Sequence, residues 1–324
     1  MKINKSTMKM WSRIGSRAAY GMAALELGKK YDDLIILTGD TSTSAGLDRF
    51  KKTFTEKYLE VGIAEQNMIG IAAGLASEGL QVFTSTFSPF QTMRCCEQIK
   101  VNLGYMNHKV NMVGLASGLV LGMLGYTHCC IEDISIMRSI PGITVVSPAD
   151  CGATVKAVLA AIEHEQSVYI RLTGGAPNPA VYLDDFDFTI GKANVLRDGE
   201  DITIIACGTM VYNALEAADL LKAGKLESSV IDMHTIKPID LEIIEKVAKS
   251  SSKLLVTVEE HSIIGGLGSA VSEYLCTLNH KPPLLALGIP DEYGSAGEYK
   301  SLLGKRQLLP DQIANSIANR YYSV

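Results

Sequence analysis

The sequence predicts an α/β protein of two three-layer domains, each with a parallel sheet covered by helices on both faces. Short apolar runs alternate with amphipathic helical patterns along almost the whole chain, as in βαβ units. At 324 residues the chain is long for one domain. Hydrophobic residues make up 47% and charged residues 20%, a globular composition with ample material for two cores.

In the first part of the chain, five apolar runs are suited to buried strands. They are residues 34–40, 80–86, 109–116, 143–148 and 167–173. The helical patterns that alternate with them are 16–30, 64–78, 88–103, 130–139 and 149–164. Strands that alternate with helices run parallel and are buried on both faces, which predicts a parallel sheet.

A break follows at TGGAPNPAVYLDDFDF (173–188), whose glycines, prolines and acids follow no period. This composition predicts a linker, with domains at 1–188 and 189–324. In the second domain we expect strands 201–208, 227–233 and 253–260, and helices 211–224, 240–250, 267–278 and 310–322. Pro238, in KPID, is expected in the first turn of its helix.

Charge and cysteine usage exclude several classes of protein. The net charge of −5 is spread along the chain and predicts no nucleic-acid surface or polybasic membrane tail. The longest apolar stretch, 113–124, contains three glycines and is too short to span a bilayer. The opening MKINKSTMKMW has no following apolar region, so no signal peptide is expected. Seven cysteines without metal-ligand spacing predict reduced thiols in the cytoplasm.

The segment YLEVGIAEQNMIGIAAGLASEGLQVFTSTFSPF (58–90) contains the strongest chemical pattern. It predicts a short strand, a turn, and a helix that begins near Glu65 and ends at Gly79. A helix N-terminus favours a carboxylate in its first turn, although an ordinary surface glutamate fits this position too. Phe87 and Phe90 follow three residues apart, where core aromatics are equally expected. Asp40 ends an earlier strand, where either an Asx turn or a ligand contact is expected.

The string VGIAEQNMIGIAAGLASEG, followed by TFSPF, resembles the pyrimidine-binding domain of transketolases and deoxyxylulose-phosphate synthases. The resemblance implies that Glu65 bonds N1′ of the aminopyrimidine of thiamine diphosphate and so activates the cofactor. It also implies that Phe90 stacks on this ring, with Phe87 beside it and Met93 in place of a third aromatic. Asp40 matches an aspartate near the thiazolium.

The stretch GLVLGMLGYTHCCIEDISIMRSIPGITVVSPAD (118–150) resembles the family pattern GEDGxTHQ…ED…MRxxPNxxVxxPAD. The resemblance makes His128 the histidine that faces the substrate and hydrogen-bonds its oxygen. Leu124 stands where the family has a carboxylate that contacts a sugar hydroxyl, and Ala116 where it has a phosphate-binding histidine. Because an apolar side chain cannot orient a hydroxyl, we expect a modified, deoxy, branched or non-phosphorylated sugar.

Some anion-binding positions of the family persist. GSRAAYG (15–21) resembles ATREAYG and makes Arg17 a candidate phosphate ligand. Arg171, in YIRL at a strand end, is a second candidate, and Ser44 matches a serine that contacts substrate phosphate. Without the resemblance, each arginine would be interpreted as a surface residue in a salt bridge. Both sugars and sugar phosphates are therefore candidate substrates.

The GDG…N motif, with which the family holds magnesium and diphosphate, does not occur. Gly39-Asp40 lacks the third glycine, and Asn67 belongs to the Glu65 helix. The resemblance thus implies no metal site in this chain and a separate N-terminal transketolase subunit that ligates Mg²⁺. It implies an α2β2-like assembly that transfers a two-carbon ketol unit from a ketose donor to an aldehyde acceptor.

Two alternatives stay open at this point. One is the β subunit of another thiamine-diphosphate enzyme, such as a 2-oxo acid dehydrogenase or a relative of deoxyxylulose-phosphate synthase. The other is a non-catalytic partner subunit, which Leu124 and Ala116 would fit. The sequence VGIAEQN with Thr127-His128 favours transketolase over the first, and intact Glu65, Phe90 and His128 favour an enzyme over the second.

Overall fold

The computed structural model describes residues 3–324. Met1 and Lys2, at the start of the segment considered for a signal peptide, lie outside the described residues. The strands are β1 (Leu34–Thr38), β2 (Tyr58–Glu60), β3 (Gln81–Phe87), β4 (Val110–Leu115), β5 (Ile143–Val146), β6 (Ser167–Arg171), β7 (Asn194–Arg197), β8 (Ile202–Ala206), β9 (Ser228–Asp232), β10 (Thr235–Lys237), β11 (Leu254–Ser262) and β12 (Leu284–Ile289).

The helices are α1 (Lys5–Lys30), α2 (Asp48–Thr53), α3 (Glu65–Ser77), α4 (Ser88–Gln91), α5 (Cys96–Gln98), α6 (Asp133–Ser139), α7 (Cys151–Glu163), α8 (Met210–Ala223), α9 (Leu241–Ala248), α10 (Leu267–Leu275), α11 (Tyr299–Lys305) and α12 (Pro310–Tyr321). Thr55–Lys57 and Gly122–Thr127 form short 3₁₀ segments, and Ile99–Tyr105 is π-helical. No helix of the described chain is both long enough and apolar enough to cross a membrane.

The first sheet has seven strands in the order β10-β5-β6-β4-β3-β1-β2. All neighbouring strands run parallel except β10, which runs antiparallel to β5. Side chains of β4 alternate between two apolar clusters: Val113 and Leu115 belong to one, Val110 and Met112 to the other. The first cluster includes residues of α1 and α7, and the second includes residues of α3. The predicted three-layer arrangement is therefore confirmed.

The second sheet has five strands in the order β12-β11-β8-β9-β7, with only β7 antiparallel. Its central strand β8 is buried along its length. Ile204 faces the cluster that includes α8 and α12, whereas Ile205 faces the cluster that includes α9 and α10. The second domain is thus also a three-layer α/β structure, as the sequence predicts.

The structure corrects two helix predictions. Instead of one helix over 88–103, α4 stops after Gln91, and the Thr92 N–H and hydroxyl both donate to the Ser88 carbonyl, at 3.0 and 2.7 Å. At KPID, the Asp240 carboxylate accepts a bond from the Ile243 N–H at 3.2 Å. This N-cap makes Leu241 the first residue of α9, so Pro238 lies outside the helix.

Residues beyond 188 also complete the first sheet, since β10 pairs with β5 at its edge. One cluster of buried apolar side chains includes residues of both domains, for example Val146, Leu172 and Met210. The two domains therefore share a packed interface. The division at residue 188 stays a prediction.

Candidate functional site

Glu65 is the first residue of α3, and its side chain is only 3% exposed. Gly39, at the end of β1, lies against it: a Cβ at this glycine would be 3.4 Å from Cγ of Glu65. At the other end of α3, Gly79 has a φ of +87°, and the next N–H bonds to the Leu75 carbonyl at 3.3 Å. The predicted helix start and the glycine that ends it are both confirmed.

A residue that the sequence did not single out, Arg94, contacts Glu65 directly. Its Nη1 donates to Oε2 of Glu65 at 2.8 Å. The same guanidinium lies over the ring of Phe90, with Cζ 4.0 Å from the ring centroid. The Arg94 side chain is 42% exposed, so this ion pair joins a buried carboxylate to a partly solvated cation. Arg94 thereby connects the two side chains expected to hold a pyrimidine ring.

Phe87, Phe90 and His128 form one cluster of rings, although His128 is distant in sequence. The ring centroids of Phe90 and His128 are 5.3 Å apart at an interplanar angle of 75°. Phe87 lies 6.4 Å from each of them, also edge to face, a preferred aromatic geometry. Nδ1 of His128 is 3.0 Å from the Thr127 hydroxyl, which leaves Nε2 as the ring nitrogen available to another group.

Asp40 and the turn before Glu65 are held by Glu60, which the sequence reasoning also missed. Oε1 of Glu60 accepts bonds from the N–H groups of Asp40 at 2.7 Å and Gly62 at 3.1 Å. Its Oε2 accepts from the Thr38 hydroxyl at 2.6 Å. Partial burial opposes ionisation, but these hydrogen bonds prevail and hold the pKa of Glu60 below its usual range. The only sequence signal was its position at a strand end before Gly62.

Two glycines bring the loop that contains Ser44 onto α1, the helix that contains Arg17. A Cβ at Gly21, on α1, would lie 2.0 Å from the carbonyl oxygen of Gly46. A Cβ at Gly46 would lie 2.9 Å from the carbonyl oxygen of Arg17. The loop with Ser44 therefore lies directly on α1. Arg17 is half-buried, and burial lowers the pKa of its guanidinium. Within residues 3–324 it forms no ion pair, so this cation is free to bind an anion.

The expectation for Arg171 is wrong in this structure. Its side chain is 1% exposed, and Nε donates to both oxygens of Asp133, at 3.0 and 2.8 Å. Nη2 donates to the carbonyl oxygen of Glu260 at 2.9 Å. Burial opposes protonation, but the charge of Asp133 prevails and raises the pKa of Arg171. The end of β6 is covered by β11 of the second domain, so this guanidinium cannot reach a substrate.

Leu124 and Met93 differ from the rest of the site because they are well exposed. Leu124 is 57% exposed on the segment Gly122–Thr127, and Met93 is 48% exposed after α4. Ala116, where the family has a histidine, is buried. The exposed apolar surface of Leu124 provides no hydrogen-bonding group for a sugar hydroxyl.

The cysteines near the site are not activated. Burial raises the pKa of the Cys95 thiol to about 12, with a smaller contribution from the charge of Glu65. Burial likewise raises the pKa of Cys129 to about 11. Both are thiols rather than nucleophilic thiolates at neutral pH. All seven cysteines are free.

The chain thus forms one side of a site. A buried carboxylate at a helix start and an adjacent aromatic ring suit a flat heterocycle that has both a ring nitrogen and an apolar face. In the described part of the chain, no group of three or more His, Cys, Asp or Glu residues is arranged to hold a metal ion. The chemistry of the donors fits the pyrimidine end of thiamine diphosphate.

Comparisons with known proteins agree with this assignment. Residues 12–177 match the family model of the transketolase pyrimidine-binding domain, and residues 191–313 match that of the transketolase C-terminal domain. The chain is 41% identical to an apulose-4-phosphate transketolase subunit of Phocaeicola vulgatus, over 86% of this chain and 88% of that protein. It is 40% identical to a 6-deoxy-6-sulfo-D-fructose transketolase subunit of a Clostridium species, over 87% and 86% of the two chains.

Among solved structures, the chain is similar to a protein described as a split-gene transketolase in an inactive β4 tetramer. The TM-score is 0.87 at 38% identity, over 94% of this chain and 98% of that one. The fold is that of thiamine-diphosphate-dependent α/β enzymes. Within this class the chain belongs to the transketolase family, and it comprises the pyrimidine-binding and C-terminal domains.

Proposed function

We propose that this chain is the cofactor-activating, C-terminal subunit of a two-chain transketolase. It would transfer a two-carbon ketol unit from a ketose donor to an aldehyde acceptor. The observation that carries the proposal is the position of Glu65, buried at the start of α3 and linked through Arg94 and Phe90 to His128. A non-catalytic subunit would have no need to bring these three side chains together.

When bound, thiamine diphosphate would supply a thiazolium carbon that becomes a nucleophile toward a ketose carbonyl after it loses its proton, and a cationic ring that stabilises negative charge. Glu65 would hold a proton at N1′ of the pyrimidine, and the ring of Phe90 would support the pyrimidine face. Glu60 holds the backbone N–H of Asp40. This contact would place the Asp40 carboxylate near the thiazolium. His128, whose Nδ1 is engaged by Thr127, would use Nε2 to hydrogen-bond a substrate oxygen.

The diphosphate and Mg²⁺ would be held by a separate subunit with the GDG…N motif, in an α2β2-like assembly in the cytoplasm. Two apolar side chains beside Glu65 are open to solvent: Ile63, 75% exposed, and Met93, 48% exposed. Large exposed apolar side chains around a half-formed site favour coverage by another subunit. Two relatives are named as transketolase subunits, and the solved neighbour is described as a split-gene transketolase. These names support the division of the enzyme between two chains.

The substrate would be a modified sugar with an anionic group. Leu124 and Ala116 remove two polar contacts of ordinary transketolases, whereas the unpaired Arg17 is available for an anion. The names of the two relatives contain a phosphate and a sulfo group, and a guanidinium can pair with either.

Co-expression with a GDG-containing partner subunit tests the proposal. We would compare Glu65→Gln with Glu78→Gln, an exposed glutamate that follows the other end of the same helix. Products from a panel of ketoses and aldehydes, with magnesium and thiamine diphosphate, would be identified by mass spectrometry. We expect turnover by the wild-type complex and the Glu78 variant, and its loss, by at least about a hundredfold, in the Glu65 variant. Full turnover by Glu65→Gln would contradict the assignment.

A further inference from the structure

Among residues 3–324, Arg94 is the one cation in direct contact with the cluster that we assign to the pyrimidine. It was not expected from the sequence, and the proposed reaction gives it no role. Its guanidinium touches Glu65 and Phe90 at the same time, at 2.8 Å from a carboxylate oxygen and 4.0 Å from the ring centroid. A group that makes both contacts lies in the space between the carboxylate and the ring face.

The guanidinium shares several chemical properties with an aminopyrimidine. It is planar, it stacks on aromatic faces, and it presents N–H donors to a carboxylate. A pyrimidine that stacks on Phe90 and shares a proton with Glu65 would need the same ring face and the same carboxylate. Arg94 and the cofactor ring cannot both occupy this space.

Removal of Arg94 from the site requires little rearrangement. Its side chain is 42% exposed and lies at the solvent side of the pair, so rotation about its side-chain bonds would bring the guanidinium into water. The buried partner Glu65, 3% exposed, would then lose its side-chain hydrogen-bond donor. Since an unpaired buried carboxylate is unfavourable, Arg94 satisfies Glu65 until another donor replaces it.

We propose that Arg94 is a positioning residue that occupies the aminopyrimidine position in the cofactor-free chain and moves into solvent when thiamine diphosphate binds. This inference rests on the proposed function. Arg94 would keep the Glu65 side chain oriented toward the site and keep the face of Phe90 covered. It would also compete with the cofactor, so its removal should strengthen cofactor binding.

The test measures the dissociation constant of thiamine diphosphate for the complex with the GDG-containing subunit, by isothermal titration calorimetry at fixed Mg²⁺. The variants are Arg94→Met, which keeps an apolar stem without charge, and Arg94→Lys, which keeps the charge without the planar group. Arg320→Met, an exposed arginine on α12, controls for the loss of one positive charge. Circular dichroism establishes that each variant is folded.

We expect Arg94→Met to bind the cofactor about three- to tenfold more tightly than wild type, because the ion pair between buried Glu65 and the partly solvated Arg94 and one cation–π contact no longer have to be broken. The affinity of Arg94→Lys for the cofactor should lie between those of wild type and Arg94→Met, and the affinity of Arg320→Met should equal that of wild type. An unchanged or weaker affinity in Arg94→Met overturns the inference but leaves the proposed function intact. If neither wild type nor the variants bind thiamine diphosphate, the proposed function fails, and the inference fails with it.

Discussion

The carboxylate of Glu260, on β11 of the second domain, accepts a hydrogen bond of 2.7 Å from the backbone N–H of Leu119 in the first domain. Its other oxygen accepts from the hydroxyls of Thr209 at 3.0 Å and Tyr299 at 2.7 Å. Leu119 begins the segment that leads to His128. The second domain therefore holds one end of the loop that contributes the proposed substrate-facing histidine.

The first prediction concerns Gly118, where an added Cβ would lie 2.2 Å from Oε1 of Glu260. Gly125, in the same segment, has the same φ of +73°, but its Cβ would be 3.8 Å from the nearest atom. Replacing either glycine by alanine should cost about 1–3 kcal/mol, because a positive φ is unfavourable for a residue with a Cβ. Gly118→Ala should cost about 1–3 kcal/mol more, from the collision with Glu260. Urea unfolding of the two variants measures the difference, and equal stabilities would contradict it.

The second prediction concerns substrate choice. Leu124→Asp restores a carboxylate where we place the contact to a sugar hydroxyl, and the 57% exposure of Leu124 makes the change tolerable for folding. We expect kcat/KM for ordinary pentose phosphates to rise by about tenfold or more relative to wild type. The neighbouring variant Met123→Asp, at a residue 74% exposed, is the matched control and should not shift preference. The altered-pocket hypothesis fails if wild type already uses only ordinary pentose phosphates.

The third prediction concerns pH and Asp232, which is fully buried at the end of β9. Burial raises the pKa of Asp232 to about 8 from an ordinary value of 3.8; the Tyr182 hydroxyl opposes the shift and the charge of Asp150 adds to it. Because the folded pKa is the higher one, the stabilising contribution is complete below pH 3.8 and is lost as pH rises through about 8.

Asp232→Asn keeps an acceptor for the Tyr182 hydroxyl, which bonds Oδ2 at 2.7 Å, and removes the titration. Between pH 5 and 8, wild type should lose up to about 1.4 kcal/mol of stability per pH unit relative to this variant. Chemical denaturation at a series of pH values provides the comparison. Parallel profiles for the two proteins would show that Asp232 does not titrate in this range.

The alternation of apolar runs with helical patterns predicted five strands of the first sheet and three of the second, because period and length are local properties. The same approach missed β10, a three-residue strand whose pairing with β5 is a long-range contact. It also missed the short elements α11 and β7 and the edge strand β12. The motif string placed Glu65 correctly at the start of α3, since the glycine turn and the helix pattern are both readable from neighbouring residues.

Side-chain partners were harder to predict than elements. Arg171 lies at a strand end, as expected, but the second domain covers this end, and Asp133 pairs with the guanidinium. Arg94 was overlooked because its two contacts join residues from separate elements, α3 and α4. The spacing of residues along the sequence does not indicate the partners of Arg171 or of Arg94. Both depend on how the layers and domains pack.

The pairing of β10 with β5 has a consequence for dissecting this chain. A fragment that ends at residue 188 would retain β5 but lose the strand that covers its edge. An uncovered edge presents free N–H and C=O groups, which attract strands of other molecules. A cut after Lys237 would keep β10 but would uncover β8, whose neighbour β11 lies at Leu254–Ser262, so recombinant work on the pyrimidine-binding domain should keep both domains.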